Sequence, residues 1–359
     1  MKVLFVYKYL TLGGCETVIR ARIEGLDAEG IEGHAWFFQD LGGGALFAGV
    51  SPRVRVGDLN DCERAIATEG FDVVATIDTE EIFPFFCLGG DLPALVVEAH
   101  SPHAENLEYL RDLPGVPVAA CLVPSAHQGA IVRELLSVDA PVIVVPNPVR
   151  PIFCGDLGPG GPAGSIPLVA WVGRLDAMKN WPEFIAIAGH VRSLGVDAEF
   201  RLVGRPVRPE TVDELLGSLE AEGVADRVRW YRGLEHARLP AFFDRVRDSG
   251  GVVVVTSRGE SFGMVAAEAM ARGCACLLAD QPPLSELAFG GRAAPTYPPG
   301  DVDAAAREVR GLLAEDAHRA RLGLRAREEI LARHSPSAAI PALARTLRWI
   351  AAQRSRDVP

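Results

Sequence analysis

The stretch Gly251-Val252-Val253-Val254-Val255-Thr256-Ser257-Arg258-Gly259-Glu260-Ser261-Phe262-Gly263-Met264-Val265-Ala266-Ala267-Glu268-Ala269-Met270 decides how the whole chain reads. Its valine run does not alternate with polar residues, so this strand is buried on both faces, as in a parallel sheet covered by helices. A polar turn follows, and a helix is expected to begin around Phe262-Gly263. Two carboxylates, Glu260 and Glu268, stand eight residues apart, one in the turn and one two turns into the helix. Glu268 is surrounded by alanines, where mere solvation is a poor reason for an acid. The plainer alternative makes Glu260 a helix cap and Glu268 a surface acid. The backbone N–H groups of Phe262, Gly263 and Met264 at the helix start are donors suited to hydroxyls or phosphate.

The same strand-then-helix rhythm extends outward in both directions. Strands are expected at 167–172, 199–203, 227–231, 251–255 and 275–278, and helices at 181–193, 209–222, 236–247 and 262–272. From 301 the chain reads as helix, over 301–316, 317–333 and 336–352. The first 145 residues repeat the pattern, with strands at 2–7, 33–38, 72–77, 94–99, 119–123 and 142–145 and helices at 15–29, 61–69, 80–87 and 125–136. Pro146-Asn147-Pro148 ends that run, and the Gly/Pro-rich residues 154–166 read as an interdomain linker. With 359 residues, two α/β domains are expected, each a doubly wound parallel sheet, facing across a cleft between their carboxyl edges.

Composition narrows the function. The net charge is -11, from 36 basic and 47 acidic residues, with the basic residues spread along the chain, which speaks against a nucleic-acid partner. No apolar run reaches the roughly 20 residues of a membrane span, and no basic amphipathic helix suits an anionic surface. The apolar Met1–Tyr7 segment is broken by Lys8 and followed by Gly13-Gly14, so it reads as a first strand and the expected location is cytoplasmic. Seven scattered cysteines without a CxxC pair read as buried thiols, and no His/Cys cluster has zinc spacing. Arginine is used 33 times and lysine three times (Lys2, Lys8, Lys179), so each lysine asks for a reason.

Upstream of the opening stretch, Gly173-Arg174-Leu175-Asp176-Ala177-Met178-Lys179-Asn180 follows the first strand of the second domain. Gly173 permits a tight turn, and Arg174 and Lys179 bring two positive charges to the strand's carboxyl edge. A diphosphate leaving group needs such charge as its bond breaks. Gly13-Gly14-Cys15-Glu16 sits between the first strand and first helix, where glycines allow close backbone approach and helix amides face an anion. It lacks the G-x-G-x-x-G spacing of a dinucleotide site. His100 ends a strand in Glu98-Ala99-His100-Ser101-Pro102-His103, with His103 as its substitute and a structural histidine as the alternative; His127 and His236 read as structural. Arg205, after Leu202-Val203-Gly204, reaches phosphate or base or is an ordinary surface arginine. Gly233-Leu234 form a turn after the next strand. Asp301-Val302-Asp303 matches a bare D-x-D, but it opens a helix after Pro298-Pro299-Gly300, where an Asp is simply a good cap. No metal site is expected.

The E-x7-E pattern of Glu260 and Glu268, followed by Ala269-Met270, resembles the signature of family 4 of the retaining glycosyltransferases, the GT-B glycosyl transferases of group 1. Gly173-Arg174-Leu175 through Lys179 resembles that family's G-R-L-x-x-x-K-G motif, with Asn180 in place of the last Gly. Gly13-Gly14-Cys15-Glu16 resembles its G-G-x-E loop. Residues 145–153 resemble its N-G-V-D-x-x-x-F stretch, with Pro148 and Arg150 replacing Gly and Asp and with Phe153 retained. The resemblance covers nearly the full length and is strongest over about 168–290.

The resemblance implies a GT-B fold of two Rossmann-like domains: 1–150 binding the acceptor, 151–166 as linker, 167–335 binding the nucleotide sugar, and 336–359 as a helix crossing back to the first. It implies a hexosyltransferase-type enzyme working with retention and without a metal ion or other cofactor. Glu268 would hold the donor ribose, Arg174 and Lys179 the diphosphate, and Glu260 would lie beside the transferred sugar. Ser261, Phe262, Gly263 and Met264 would meet sugar hydroxyls through their amides, and Gly233 and Leu234 the base. Gly13 and Gly14 would contribute backbone to the diphosphate, His100 would touch a sugar hydroxyl, and Glu16 and His103 would line the acceptor side. The expected partners are a nucleotide diphosphate sugar and a small soluble acceptor such as a secondary metabolite. An envelope polysaccharide or glycolipid precursor is the alternative acceptor. A nucleotide-sugar epimerase would instead convert donor without acceptor, a non-catalytic binding protein would bind donor without turnover, and an NAD(P) oxidoreductase lacks its glycine fingerprint here.

Overall fold

The computed structural model describes residues 1–158 and 166–357, without the side chains beyond 353. The chain divides into two units, Met1–Arg150 with Arg333–Pro359, and Pro151–Ala332. The first contains β1 (Lys2–Leu10), α1 (Gly14–Leu26), β2 (Glu32–Asp40), β3 (Val54–Val56), α2 (Leu59–Thr68), β4 (Val73–Ile77), α3 (Phe83–Cys87), β5 (Ala94–Glu98), β6 (Val118–Val123), α4 (Ala126–Leu135) and β7 (Val142–Val144). Its seven strands are parallel in the order β3-β2-β1-β4-β5-β6-β7.

Period-two geometry explains why these strands lack alternation. Val3 and Phe5 of β1, Val73, Ala75 and Ile77 of β4 and Val96 of β5 enter one core cluster. Leu4, Val6, Val74, Leu95 and Val97, which point the other way, enter a second cluster on the opposite face. Each face needs its own cover, so every position must be apolar.

The second unit runs α5 (Pro151–Cys154), β8 (Leu168–Val172), α6 (Trp181–Ser193), β9 (Glu199–Val203), α7 (Thr211–Ala221), β10 (Val228–Tyr231), α8 (Leu239–Asp248), β11 (Val252–Val255), α9 (Met264–Ala271), β12 (Ala275–Ala279), α10 (Leu284–Leu287), β13 (Thr296–Tyr297), α11 (Val302–Ala314) and α12 (Asp316–His334), whose last two residues belong to the first unit. Its six strands are parallel in the order β10-β9-β8-β11-β12-β13. In both sheets the order reverses beside the first strand, at β1/β4 and β8/β11, and ligands of such folds collect outside the carboxyl ends there. Gly251 lets β11 approach β8, since a Cβ on it would lie 2.0 Å from the Leu168 carbonyl oxygen.

The last helix, α13 (Pro336–Asp357), places Ile340, Leu343, Ala344, Leu347 and Ile350 in the first unit's core at helical spacing. Gly25 of α1 leaves room for it, because a Cβ there would lie 2.6 Å from Ile340. Of the residues read as linker, 151–157 pack on the second unit instead, and 159–165 lie outside the described residues. Phe153 is fully buried, and the Arg272 guanidinium donates to the carbonyls of Gly155 and Asp156. Glycine and proline content reads as a tether, whereas one aromatic anchor and a buried arginine make the segment part of the domain. Among the described residues no helix is long and apolar enough to cross a membrane.

Candidate functional site

In the second unit the two motifs leave adjacent central strands. The loop after β8 carries Gly173 to Asn180, and the turn after β11 carries Thr256 to Gly263. Thr256, which is 1% exposed, ties them together: its hydroxyl accepts from Trp171 Nε1 at 2.9 Å and faces the carbonyls of Lys179 and Asn180, each at 2.9 Å. The Arg258 amide donates to Met178 O at 2.7 Å. Asp176 clamps the β8 loop, with Oδ1 accepting from the Lys179 amide at 2.8 Å and Oδ2 accepting from Arg174 Nε at 3.0 Å. Thr256→Val keeps the shape of the side chain and strands the buried indole N–H. The expected loss is about 1–3 kcal/mol of stability, together with weaker catalysis from a loosened loop, measured by denaturant unfolding alongside turnover. An unchanged unfolding midpoint would count against this tie.

Asn180 has φ 52 and ψ 47, the left-handed conformation that glycine adopts freely and asparagine tolerates better than other residues. The departure from the family's glycine therefore preserves the turn. Gly204 is required for a different reason: a Cβ on it would lie 2.0 Å from the Gly173 carbonyl oxygen, so the loops after β8 and β9 touch through backbone.

Lys179 and Glu260 meet, with Nζ 2.5 Å from Oε1 and side chains 23% and 13% exposed. Arg174 is largely exposed, and among the described residues its side chain bonds Asp176. Gly263, at φ 103, caps α9 with no side-chain hydrogen bond, and a Cβ on it would press on Leu284 and Leu287. Phe262 is buried, and Ser261 and Met264 are half-buried. Glu268, 3% exposed, has its Oε1 2.8 Å from His236 Nε2. His236 stands in a single turn after Gly233-Leu234, and Phe153 packs edge-on to its ring at 5.2 Å. The sequence reads His236 as structural, and in the structure its ring bonds the carboxylate read as the ribose ligand. Arg205 is exposed and lies over Gly233, whose φ is 138. Asp301 caps α11 through the Ala304 amide, and Asp303 pairs with His190 at 2.7 Å, so each carboxylate of the bare D-x-D has an ordinary duty.

In the first unit, Gly13 caps α1 in an extended conformation and Gly14 begins the helix. Glu16, 2% exposed, turns back so that Oε1 accepts from the Thr11 amide at 2.7 Å and from its hydroxyl. Burial pushes the neighbouring Cys15 thiol well above its ordinary range. At the ends of β4 and β5, His100 Nε2 lies 3.0 Å from Glu98 Oε2, and the His100 amide donates to Asp78 Oδ1 at 3.0 Å. Both Glu98 oxygens accept from Arg22 Nη1 at 2.7 Å. His103 is half-buried with Nδ1 3.4 Å from Glu105.

These groups give the first unit an acid sensitivity. Burial holds the His334 imidazole at about 4, below its ordinary 6.5, although it donates to the Asn147 carbonyl. Burial pushes the Glu98 carboxyl up, but Arg22 and His100 more than reverse this and hold it at about 2, below its ordinary 4.5. Unfolded chains take up the proton first at both positions, so stability falls from pH 6.5 to 4 through His334 and from 4.5 to 2 through Glu98. Burial raises Asp78 to about 6 from 3.8, against the pull of His100, and acts in the opposite sense: its contribution is present at low pH and lost as pH rises through 6. The His334 contribution is on the order of 3 kcal/mol. A His334→Gln variant should flatten the urea midpoint between pH 6.5 and 4; an unaltered slope there would exclude His334 as its source.

Over residues 161–329 the chain matches the family described as Glycosyl transferases group 1. These residues belong to that family. The group 1 domain thus contains Gly173, Arg174, Lys179, Glu260 and Glu268. Alpha-D-kanosaminyltransferase of Streptomyces kanamyceticus is 30% identical over 185 residues, covering 51% of this chain and 46% of that protein. D-inositol 3-phosphate glycosyltransferase of Xylanimonas cellulosilytica is 34% identical over 164 residues, covering 45% and 37%. 2-Deoxystreptamine N-acetyl-D-glucosaminyltransferase of Streptomyces fradiae is 36% identical over 116 residues, covering 32% and 26%. The matches span less than half the length of each of these curated relatives. Among solved structures, Anabaena Alr3699/HepE in complex with UDP and glucose superposes with a TM-score of 0.80 at 18% identity, covering 97% of this chain and 100% of that one. Sucrose-phosphate synthase of Thermosynechococcus elongatus gives 0.75 at 18% identity, covering 98% and 99%. Likeness at such identities establishes the fold, the two Rossmann-like parallel-sheet domains of GT-B.

Proposed function

We propose that the protein is a metal-independent, retaining, hexosyltransferase-type glycosyltransferase of the cytoplasm. It moves a sugar from a nucleotide diphosphate sugar to a hydroxyl of a small soluble acceptor. The observation that carries this is the meeting of Lys179 and Glu260 at the β8/β11 switch point, with Glu268 on the helix that follows. A lysine in an arginine-rich chain, held by a carboxylate where such sheets bind ligands, is placed to exchange that partner for a diphosphate. Glu268 is assigned to the ribose hydroxyls, the first turn of α9 to the transferred sugar, and Arg174 to the diphosphate from its exposed position. His100, on the first unit, is assigned to a sugar hydroxyl.

In the reaction the bond from the anomeric carbon to the β-phosphate oxygen breaks and the acceptor oxygen bonds to the same face of that carbon. The acceptor proton passes to the departing phosphate oxygen, and Lys179 and Arg174 balance the charge left on it. Glu260 as a covalent nucleophile is the alternative, and its ion pair with Lys179 weighs against it. One curated relative, named for transfer to 2-deoxystreptamine, favours a small soluble acceptor over an envelope polymer.

The test is nucleotide release from a panel of UDP-, GDP-, ADP- and TDP-sugars, with and without small polyhydroxylated acceptors, in buffer containing EDTA. Acceptor-dependent release with the donor's anomeric configuration preserved in product is expected. Donor conversion without acceptor would replace this reading with an epimerase, and turnover abolished by EDTA would remove metal independence.

A further inference from the structure

We propose that His236 is a positioning residue that sets the orientation of the Glu268 carboxylate and thereby the discrimination of ribose from deoxyribose in the donor. This rests on the assignment of Glu268 to the ribose. An ionised carboxylate only accepts hydrogen bonds, so the 2.8 Å contact requires the proton on His236 Nε2. The bond holds Glu268 Oε1 and, through it, the plane of the whole carboxylate. The remaining lone pairs then point in one fixed direction.

The surroundings show why Glu268 needs such a partner. It projects from α9, where its neighbours Ala266, Ala267, Ala269 and Met270 are all buried and offer no polar group. The His236 ring is seated in its turn by the edge of Phe153, which itself packs on Phe243 at 6.3 Å. His236 follows Gly233-Leu234 by two residues, so this hydrogen bond links the turn read as meeting the base to the helix read as holding the ribose. A carboxylate that selects a vicinal diol must present both oxygens at a set angle; one free to rotate accepts from a single hydroxyl nearly as well.

The experiment measures affinity by calorimetry for whichever of UDP, ADP or GDP the wild-type protein binds best, and for its 2′-deoxy counterpart. His236→Ala should weaken the ribonucleotide about 10-fold and leave the 2′-deoxynucleotide nearly unchanged, shrinking the preference by the same factor. His236→Gln, whose amide nitrogen reaches a similar point, should restore much of the preference. Melting temperatures report separately on folding. Equal weakening of both nucleotides, or an unchanged preference in His236→Ala, would overturn the proposal. Glu268→Gln distinguishes the two levels: if it leaves nucleotide affinity intact, the ribose assignment itself falls, whereas a loss there with no effect of His236→Ala removes only the positioning role.

Discussion

Replacing Lys179 with methionine should lower turnover by about 10²- to 10³-fold while the protein remains folded. The ammonium sits in the loop after β8 with its stem largely covered, and its charge meets Glu260 rather than solvent. Methionine keeps the stem's packing and deletes the charge, so the loss reports on the leaving group. The Glu260 side chain, 13% exposed, then loses its partner and costs part of the second unit's stability, which denaturant unfolding measures independently. Arg174→Ala provides the contrast. That side chain is 62% exposed and bonded only within its own loop, so its removal should be nearly silent in unfolding yet still reduce turnover. Single-turnover rates at saturating donor separate this from weaker binding. Near-normal rates in Lys179→Met would sink the phosphate assignment.

The second large effect is on stability. Arg22→Met should cost the first unit about 3–5 kcal/mol, enough to unfold a marginal domain at moderate temperature. Arg22 and Glu98 are 1% and 0% exposed, and the guanidinium supplies both short hydrogen bonds to the carboxylate. Removing it leaves a buried negative charge with His100 as its remaining hydrogen-bond partner among the described residues. Arg22 also lies over the Phe5 ring at 5.5 Å, a contact that methionine can largely replace. The double variant Arg22→Met/Glu98→Gln removes both charges at similar volume and should recover most of the loss, because a neutral pair has no ionic desolvation to offset. Urea unfolding of the wild type, both single variants and the double variant closes the cycle. Single variants within about 1 kcal/mol of wild type would show that the pair is not the anchor its geometry implies.

Much of this protein is determined by local sequence. The unbroken valines of β11 and the apolar Val3–Val6 run require burial on two faces, and a parallel sheet follows. The loops carrying Gly173, Lys179, Glu260 and Gly263 are legible because each lies directly after a strand and each uses residues with a conformational or charge reason to be there. Asn180 is readable in the same way, as an asparagine in a left-handed turn. Short edge strands are not: β3 and β13 have three and two residues, too few to carry a period, and depend on the neighbouring strand for their definition.

Tertiary structure alone decided which of these local pieces meet. Nothing near Arg22 in sequence identifies Glu98 as its partner, 76 residues away; the β1-β4-β5 order brings them together. The same holds for Thr256, which bonds across to the Lys179 loop only because β8 and β11 are neighbours, and for His236, which reaches Glu268 across 32 residues. Burial pattern and turn chemistry are properties of a few consecutive residues, so they survive in the sequence. Ion pairs and hydrogen bonds between loops depend on strand order and on distances of about an ångström, which exist only once the sheet has formed. The sequence thus placed these motifs directly after their strands, while the folded chain chose the partners that hold them.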